Sequence, residues 1–218
     1  MQYDWSIVRW DDYDTVISKQ QRLIKRCLDV ALTLGLIALL CPLMILIGCI
    51  VWVVDGGPVL FRQQRVGERG RVFTMFKFRT MTPVAEAMSA KVTPHPTNSI
   101  TFHKEVNDPR ITSLGHWLRR SSLDELPQLF NVLFGDMSLV GPRPELPWIV
   151  AQYEPWQHRR LSVPQGLTGL WQVTGRSRNP MHQFTKIDIQ YVQNYSFWLD
   201  IVILLKTPLV VFKGDGAF

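Results

Sequence analysis

Asp124 and Glu125 stand side by side in the run Ser121-Ser122-Leu123-Asp124-Glu125-Leu126-Pro127. Adjacent carboxylates can ligate a divalent cation, and one of them can attack phosphorus, if cations screen the approaching phosphate charge. Cations are abundant nearby in sequence. Arg119 and Arg120 precede the pair, Arg143 lies between two prolines, and Arg176 falls in a glycine-containing loop suited to close backbone approach. Arginine at several such places suggests bidentate phosphate recognition. Lys77 and Arg79 share one face of a strand reading RVFTMFKFRTM. Two cations on one exposed strand face can grip a phosphate, and a plain solvated face is the alternative.

A structural reading of the acids competes with the chemical one. Ser122 with Glu125 fits a capping box, and acids in a first helical turn are favoured by the helix dipole. Pro127 weighs against this. With Ser122 as the cap, the proline lies past the first turn, where it costs a hydrogen bond. With Asp124 as the cap, it lies within that turn and is tolerated. The pair then sits at a junction between two helices, at a helix N-terminus, where phosphate binds. The sequence has no Walker A motif, no GxGxxG and no His-x-x-x-His. His103, His158 and His182 are left to surface or structural roles.

The elements that must position these residues belong to a membrane-associated chain. Its 218 residues carry a net charge of +6, are 46% hydrophobic and only 19% charged, and include eight tryptophans. An ordinary soluble domain has roughly 25% charged residues. Disordered, collagen-like and disulfide-scaffold classes are excluded. Cys27, Cys41 and Cys49 lie in or beside one apolar stretch without a Cys-x-x-Cys pair, so they read as small apolar residues in a reducing compartment.

That stretch, Ala31 to Val54, contains no charged residue. At ~1.5 Å per residue it is long enough to cross a bilayer core of ~30 Å. Pro42 interrupts it, and both flanks are positive: Lys19, Arg22, Lys25 and Arg26 before it, Arg62, Arg65, Arg69 and Arg71 after it. Positive residues mark the cytoplasmic side. A segment that dips in, bends at Cys41-Pro42 and returns satisfies both flanks, and is preferred to a proline-kinked spanning helix. Residues 1–19 read as an N-terminal extension and 20–218 as one catalytic domain. The tail from Phe197 to Phe212 is apolar but broken by Asp200, Lys206 and Pro208, which suits a helix lying in the interface. Asp200 either holds that tail against the body or stays solvated.

Between these ends, Val59 to Arg79 predicts a β-hairpin turning at Gly67–Gly70. Thr82 to Pro109 predicts a mobile loop. Ile111 to Ser121 and Leu126 to Phe134 predict two short helices, Pro164 to Arg178 a glycine-rich loop segment, and Met181 to Asn194 a further helix. The fold class is α+β and mostly helical: a re-entrant membrane helix-hairpin, a small β-hairpin and amphipathic interfacial helices.

Several runs resemble the bacterial sugar transferases, the monotopic polyprenyl-phosphate phosphoglycosyl transferases. They are Asn107-Asp108-Pro109-Arg110-Ile111-Thr112, Leu118 through Gln128, Asn131-Val132-Leu133, and Gly135 through Pro144. Lys25-Arg26 with Asp29, Lys77 through Met81, Gly166 through Gly169, Trp171-Gln172-Val173 and Gly175-Arg176 match as well. The likeness runs from about Gln20 to about Phe212. It implies transfer of a sugar-1-phosphate, of hexose type, from a UDP-sugar to polyprenyl (undecaprenyl) phosphate with release of UMP. That step initiates capsule, O-antigen, exopolysaccharide or glycoprotein glycan assembly. It implies a re-entrant anchor in the bacterial inner membrane with the catalytic domain facing the cytoplasm. It also implies a Mg²⁺-dependent Asp124-Glu125 dyad in which Asp124 is the covalent nucleophile and Glu125 a metal ligand or general base. Lys77, Arg79, Arg119, Arg143 and Arg176 would neutralise phosphate. Many members have Ser before the anchor proline, where this chain has Cys41. Larger members carry additional N-terminal membrane helices, so this sequence resembles the minimal catalytic unit. A homo-oligomer is left open. The rival from another class is a non-catalytic basic module that binds anionic lipid or a scaffold partner, and adjacent acids among the cations argue against it. A nucleic-acid partner is not expected, given the apolar anchor and the lack of a recognition motif.

Overall fold

The computed structural model describes residues 17–82, 108–175 and 185–213. Most of the loop expected over 82–109, most of the N-terminal extension, and Arg176, His103 and His182 lie outside the described residues.

Helix α1 (Lys19–Asp55) begins at a capping box. The Ser18 hydroxyl accepts from the Gln21 N–H at 3.2 Å, and the Gln21 side chain accepts from the Ser18 N–H at 2.9 Å. The helix is 37 residues long and Pro42 lies inside it. The expected bend is therefore not a turn between two helices. Where no water can satisfy backbone groups, the cheapest course past a proline is to keep every other pair within the helix. Lys25, Asp29 and Thr33 in its first half, and Ile47 and Val51 in its second, are buried at four-residue steps. Leu34, Leu39, Ile45, Leu46 and Val53 on other faces are exposed. Both arms rest on one globular body. Asp29 accepts from the Leu139 N–H at 3.1 Å, while Ile47 and Val51 pack with Phe78 and Leu118.

Strands β1 (Leu60–Val66) and β2 (Val72–Phe78) form the predicted antiparallel hairpin, with Leu60 opposite Phe78 and Val66 opposite Val72. Phe73 and Met75 enter the main core beside Leu129, Val132 and Leu139. Strand parity puts Lys77 on the same inward face. The expectation of an open cationic face is thus corrected: Lys77 is mostly buried and Arg79 wholly so. α1 covers one side of the hairpin through Ile47 and Val51, and the segment carrying Leu129 and Val132 covers the other.

Helix α2 (Ser113–Arg120) is capped by Thr112, whose hydroxyl accepts from the Gly115 N–H at 2.9 Å. Helix α3 (Gln128–Phe134) ends at Gly135, which takes the left-handed φ of 87°. The Arg26 guanidinium finishes that end by donating to the carbonyls of Val132 (2.6 Å) and Leu133 (2.8 Å). Between α2 and α3 lies a single 3₁₀ turn, Leu123–Glu125.

The expected glycine-rich loop contains two regular elements instead, strand β4 (Gly166–Thr168) and helix α5 (Leu170–Gly175). β4 pairs in parallel with β3 (Ser138–Val140). Gly166 is required there, because a Cβ would stand 2.1 Å from the Gly141 nitrogen. A two-rung parallel pairing between remote segments leaves no local pattern in sequence. Helix α4 (Pro147–Val150) and a 3₁₀ segment, Pro155–Leu161, join β3 to β4. Helices α6 (Thr185–Gln193) and α7 (Phe197–Lys213) complete the described chain. α7 exposes Trp198, Leu205 and Leu209. It is stapled to α1 by Lys25 and Asp200 at 2.6 Å, which decides for the holding role of Asp200.

Candidate active site

The dyad occupies the 3₁₀ turn between α2 and α3. Ser122, at its start, has a φ of 57° and makes no capping bond, so the capping box is not formed. The Glu125 side chain instead turns toward β2 and the turn after β3. It pairs with Lys77 Nζ at 2.8 Å and takes both terminal nitrogens of Arg143, one of them at 3.2 Å. This is the fork geometry that favours arginine over lysine. Burial opposes ionisation of Glu125, but the charges and bonds of Arg143 and Lys77 hold its pKa well below the usual range.

Asp124 differs from its neighbour. It is 7% exposed, and its carboxylate accepts no hydrogen bond among the described residues. Burial raises its pKa and the Glu125 charge adds to that; Lys77, Arg119 and Arg143 act in the opposite direction. Two adjacent carboxylates are thus driven apart, one fixed as an anion and the other made more basic. A more basic carboxylate, once ionised, is the better nucleophile.

The structure brings Lys77, Arg119 and Arg143 together around the dyad. Arg119 is steered by the Thr80 hydroxyl, which accepts from its Nε at 2.9 Å. Arg79 is not part of this group. Its guanidinium bonds the carbonyls of Asp55 (2.6 Å) and Gly56, closing the C-terminal end of α1. The strand ends at Phe78, so Arg79 no longer follows the face of Lys77. Arg65 is a cation that the sequence reading had placed on the membrane flank. It is half-buried near Glu145, Arg143 and Glu125, and desolvation brings its pKa down to about 10. Only the register of the hairpin could have revealed it.

A larger cavity of about 710 Å³ opens at the other end of the hairpin, bordered by Arg22, Arg26, Glu68, Arg71 and Asp136. It does not contain the dyad, and three of its arginines are already matched. Arg22 pairs with Glu68, Arg71 with Asp136 at 3.2 Å, and Arg26 with the α3 carbonyls. The dyad, with one carboxylate left over among cations, is the better candidate.

The described residues contain no cluster of three or more metal-ligating side chains. Mg²⁺ needs none, because it is typically bound through one or two carboxylates plus substrate phosphates. Asp124, with open lone pairs, and Glu125 beside it fit such a shared ion.

Comparison with known proteins identifies the family. Residues 20–214 match the model for the bacterial sugar transferases. Galactosyl transferase CpsE of Streptococcus agalactiae is 46% identical over 164 residues, covering 75% of this chain and 36% of its own length. Undecaprenyl-phosphate galactose phosphotransferase of Salmonella typhimurium is 40% identical over 209 residues, covering 94% of this chain and 44% of its own length. Exopolysaccharide production protein ExoY of Rhizobium meliloti is 37% identical over 198 residues, covering 89% of this chain and 88% of its own. The chain spans less than half the length of the first two relatives. Matched over nearly its whole length, with the dyad and its cations inside the matched region, the chain belongs to the bacterial sugar transferase family.

Proposed function

We propose that this chain transfers a sugar-1-phosphate from a UDP-sugar to a polyprenyl phosphate, of undecaprenyl type, and so starts a surface polysaccharide or glycan. The observation that carries the proposal is the buried Asp124 carboxylate, unbonded among the described residues, beside a Glu125 clamped by Lys77 and Arg143. An Asp124 oxygen attacks the β-phosphorus, the one bearing the sugar. The bond from that phosphorus to the bridging oxygen breaks, and UMP leaves with the oxygen. An oxygen of polyprenyl phosphate then attacks the same phosphorus. The Asp124–phosphorus bond breaks, the carboxylate is restored, and a polyprenyl diphosphosugar departs. Splitting the transfer this way replaces one hard step by two easier ones.

Lys77, Arg119 and Arg143 balance charge on the phosphoryl oxygens, which is the main task in such transfers. Arg176 is assigned to the same task from its sequence context. Mg²⁺, held by Asp124 and Glu125 with the diphosphate, would supply further neutralisation of the leaving UMP. Glu125 fixes Lys77 and Arg143 in place.

The membrane arrangement supports the reading. Both arms of α1 are anchored to one body, through Asp29 and Arg26 at one end and Asp55 at the other. On this reading the continuous α1 bends at Pro42, entering and returning on one side, because one body does not lie on both sides of a bilayer, and α7 lies in the interface beside it. The positive flanks support a cytoplasmic side, in a bacterial inner membrane. The acceptor's phosphate is then at the depth of the dyad.

Intact-mass spectra of the protein with Mg²⁺ and a panel of UDP-sugars, without acceptor, test the proposal. A sugar-phosphate adduct is expected, absent in Asp124→Asn and discharged by polyprenyl phosphate. The proposal fails if no donor gives an adduct and no UMP appears when acceptor is added.

A further inference from the structure

Arg143 is the residue on which the dyad's geometry turns, and its own placement is unusual. Pro142 and Pro144 flank it, and neither has an N–H to anchor the main chain. The turn is held by its carbonyls instead. Three in succession are bound by three separate elements. The Pro142 carbonyl accepts from the Gly166 N–H of β4 at 2.8 Å. The Arg143 carbonyl accepts from Arg160 Nη2 at 2.7 Å, and the Pro144 carbonyl from Arg65 Nη1 at 3.3 Å.

Arg160 is the most constrained of these donors. It is 1% exposed in the 3₁₀ segment after α4. Its Nε and Nη2 donate to Asp188 of α6 at 2.9 and 2.7 Å, and its Nη1 donates to the Tyr153 hydroxyl at 2.6 Å. Glu145 stands 3.6 Å from the same Nη1. A planar guanidinium with its donors so engaged fixes the direction of the remaining bond. The charges also form one connected set among the described residues, in which Arg65, Lys77, Arg119, Arg143 and Arg160 face Asp124, Glu125, Glu145 and Asp188. Arg160 bonds neither acid of the dyad, so any effect it has on chemistry passes through the turn.

We propose that Arg160, held by Asp188 and Tyr153, is a positioning residue that sets the main chain of Arg143 and thereby the clamp on Glu125. The inference rests on the transferase reading above. Misplacing a catalytic group by ~1 Å costs on the order of 10²-fold in rate. Lysine at position 160 keeps the charge facing Asp188 and Glu145. A single ammonium, however, cannot hold Asp188, Tyr153 and the Arg143 carbonyl in fixed directions at once.

The test combines adduct-formation kinetics with NMR of protein labelled with ¹⁵N-arginine, recorded without substrate. In Arg160→Lys the rate constant for adduct formation falls by about 10–100-fold, while the KM for the UDP-sugar changes by less than about threefold. In an Arg143→Ala background, Arg160→Lys adds less than about a twofold further loss, because coupled residues are not additive. The Arg143 Nε–H signal, assigned by its loss in Arg143→Lys, shifts or broadens in Arg160→Lys. Tyr153→Phe removes one holding bond and gives smaller changes in the same directions, which serves if Arg160→Lys does not fold. A full multiplicative loss in the Arg143→Ala background, or an Arg143 signal unmoved in both variants, overturns the proposal. A wild-type protein that forms no adduct overturns the transferase reading instead, and the Arg143 signal still decides whether Arg160 positions it.

Discussion

Two acid–cation clusters in this molecule stand at helix junctions and differ in one respect. At the junction of α1 and α7, Asp200 gives one oxygen to Lys25 at 2.6 Å and the other to the Tyr191 hydroxyl at 2.7 Å. Both oxygens are satisfied, and the cluster joins two helices. At the junction of α2 and α3, Glu125 is satisfied in the same way by Lys77 and Arg143, but Asp124 next to it is not. A closed cluster holds structure together. A cluster with one acid left over can do chemistry, because the free carboxylate retains lone pairs and an electropositive approach.

Substitution of the leftover acid is expected to have the largest effect. Asp124→Asn should remove more than about 10⁴-fold of transfer activity, the scale of losing a nucleophile. Its thermal midpoint should not fall, because a desolvated charge is removed. Activity retained at a tenth of wild type would break the distinction between the clusters. The closed cluster should respond oppositely. Asp200→Asn leaves the Lys25 ammonium buried without its anion, at a cost of about 3–5 kcal/mol. Unfolding in detergent should show that loss, while adduct formation per folded molecule stays at the wild-type rate.

Lys77→Met should lower kcat/KM on the order of 10²-fold, as for removal of one donor to a developing anion. It also sharpens the electrostatic argument. Only ionised Asp124 attacks, and burial raises its pKa, so kcat/KM rises with pH through a range above that of an ordinary aspartate. Removing the Lys77 charge raises that pKa further and moves the acid limb to higher pH. Glu125, held low, does not titrate there. An acid limb that stays put in Lys77→Met would detach Asp124 from it. The smallest effect is expected at Arg79. Arg79→Met should destabilise the protein by about 1–3 kcal/mol, by orphaning the Asp55 and Gly56 carbonyls. Its rate of adduct formation should be unchanged. A rate loss like that of Lys77→Met would return Arg79 to the phosphate-binding group.

The sequence was most informative where a signal is local. Adjacent acids, a proline just after them, arginines on either side and an uncharged run of apolar residues are all read within a few positions. They marked the candidate dyad and located the hairpin, both short helices and the long apolar helix. Lys77 and Arg79 show where such reading stops. Strand parity paired them correctly, but which face is covered depends on α1 and α3 packing from opposite sides. The same holds for Asp200, whose partner is 175 residues away.

What the sequence by itself determined is therefore the chemical inventory and its periodicities: which residues can carry charge, break a helix or enter lipid. Only the tertiary structure decided which charges meet. It closed Glu125 with Lys77 and Arg143, left Asp124 open, diverted Arg79 to a helix end, and brought Arg65 and Arg160 under the Pro-Arg-Pro turn. The physical reason is that burial and pairing set the worth of a charge. Both are properties of packing between remote segments, and the order of residues along the chain does not fix them.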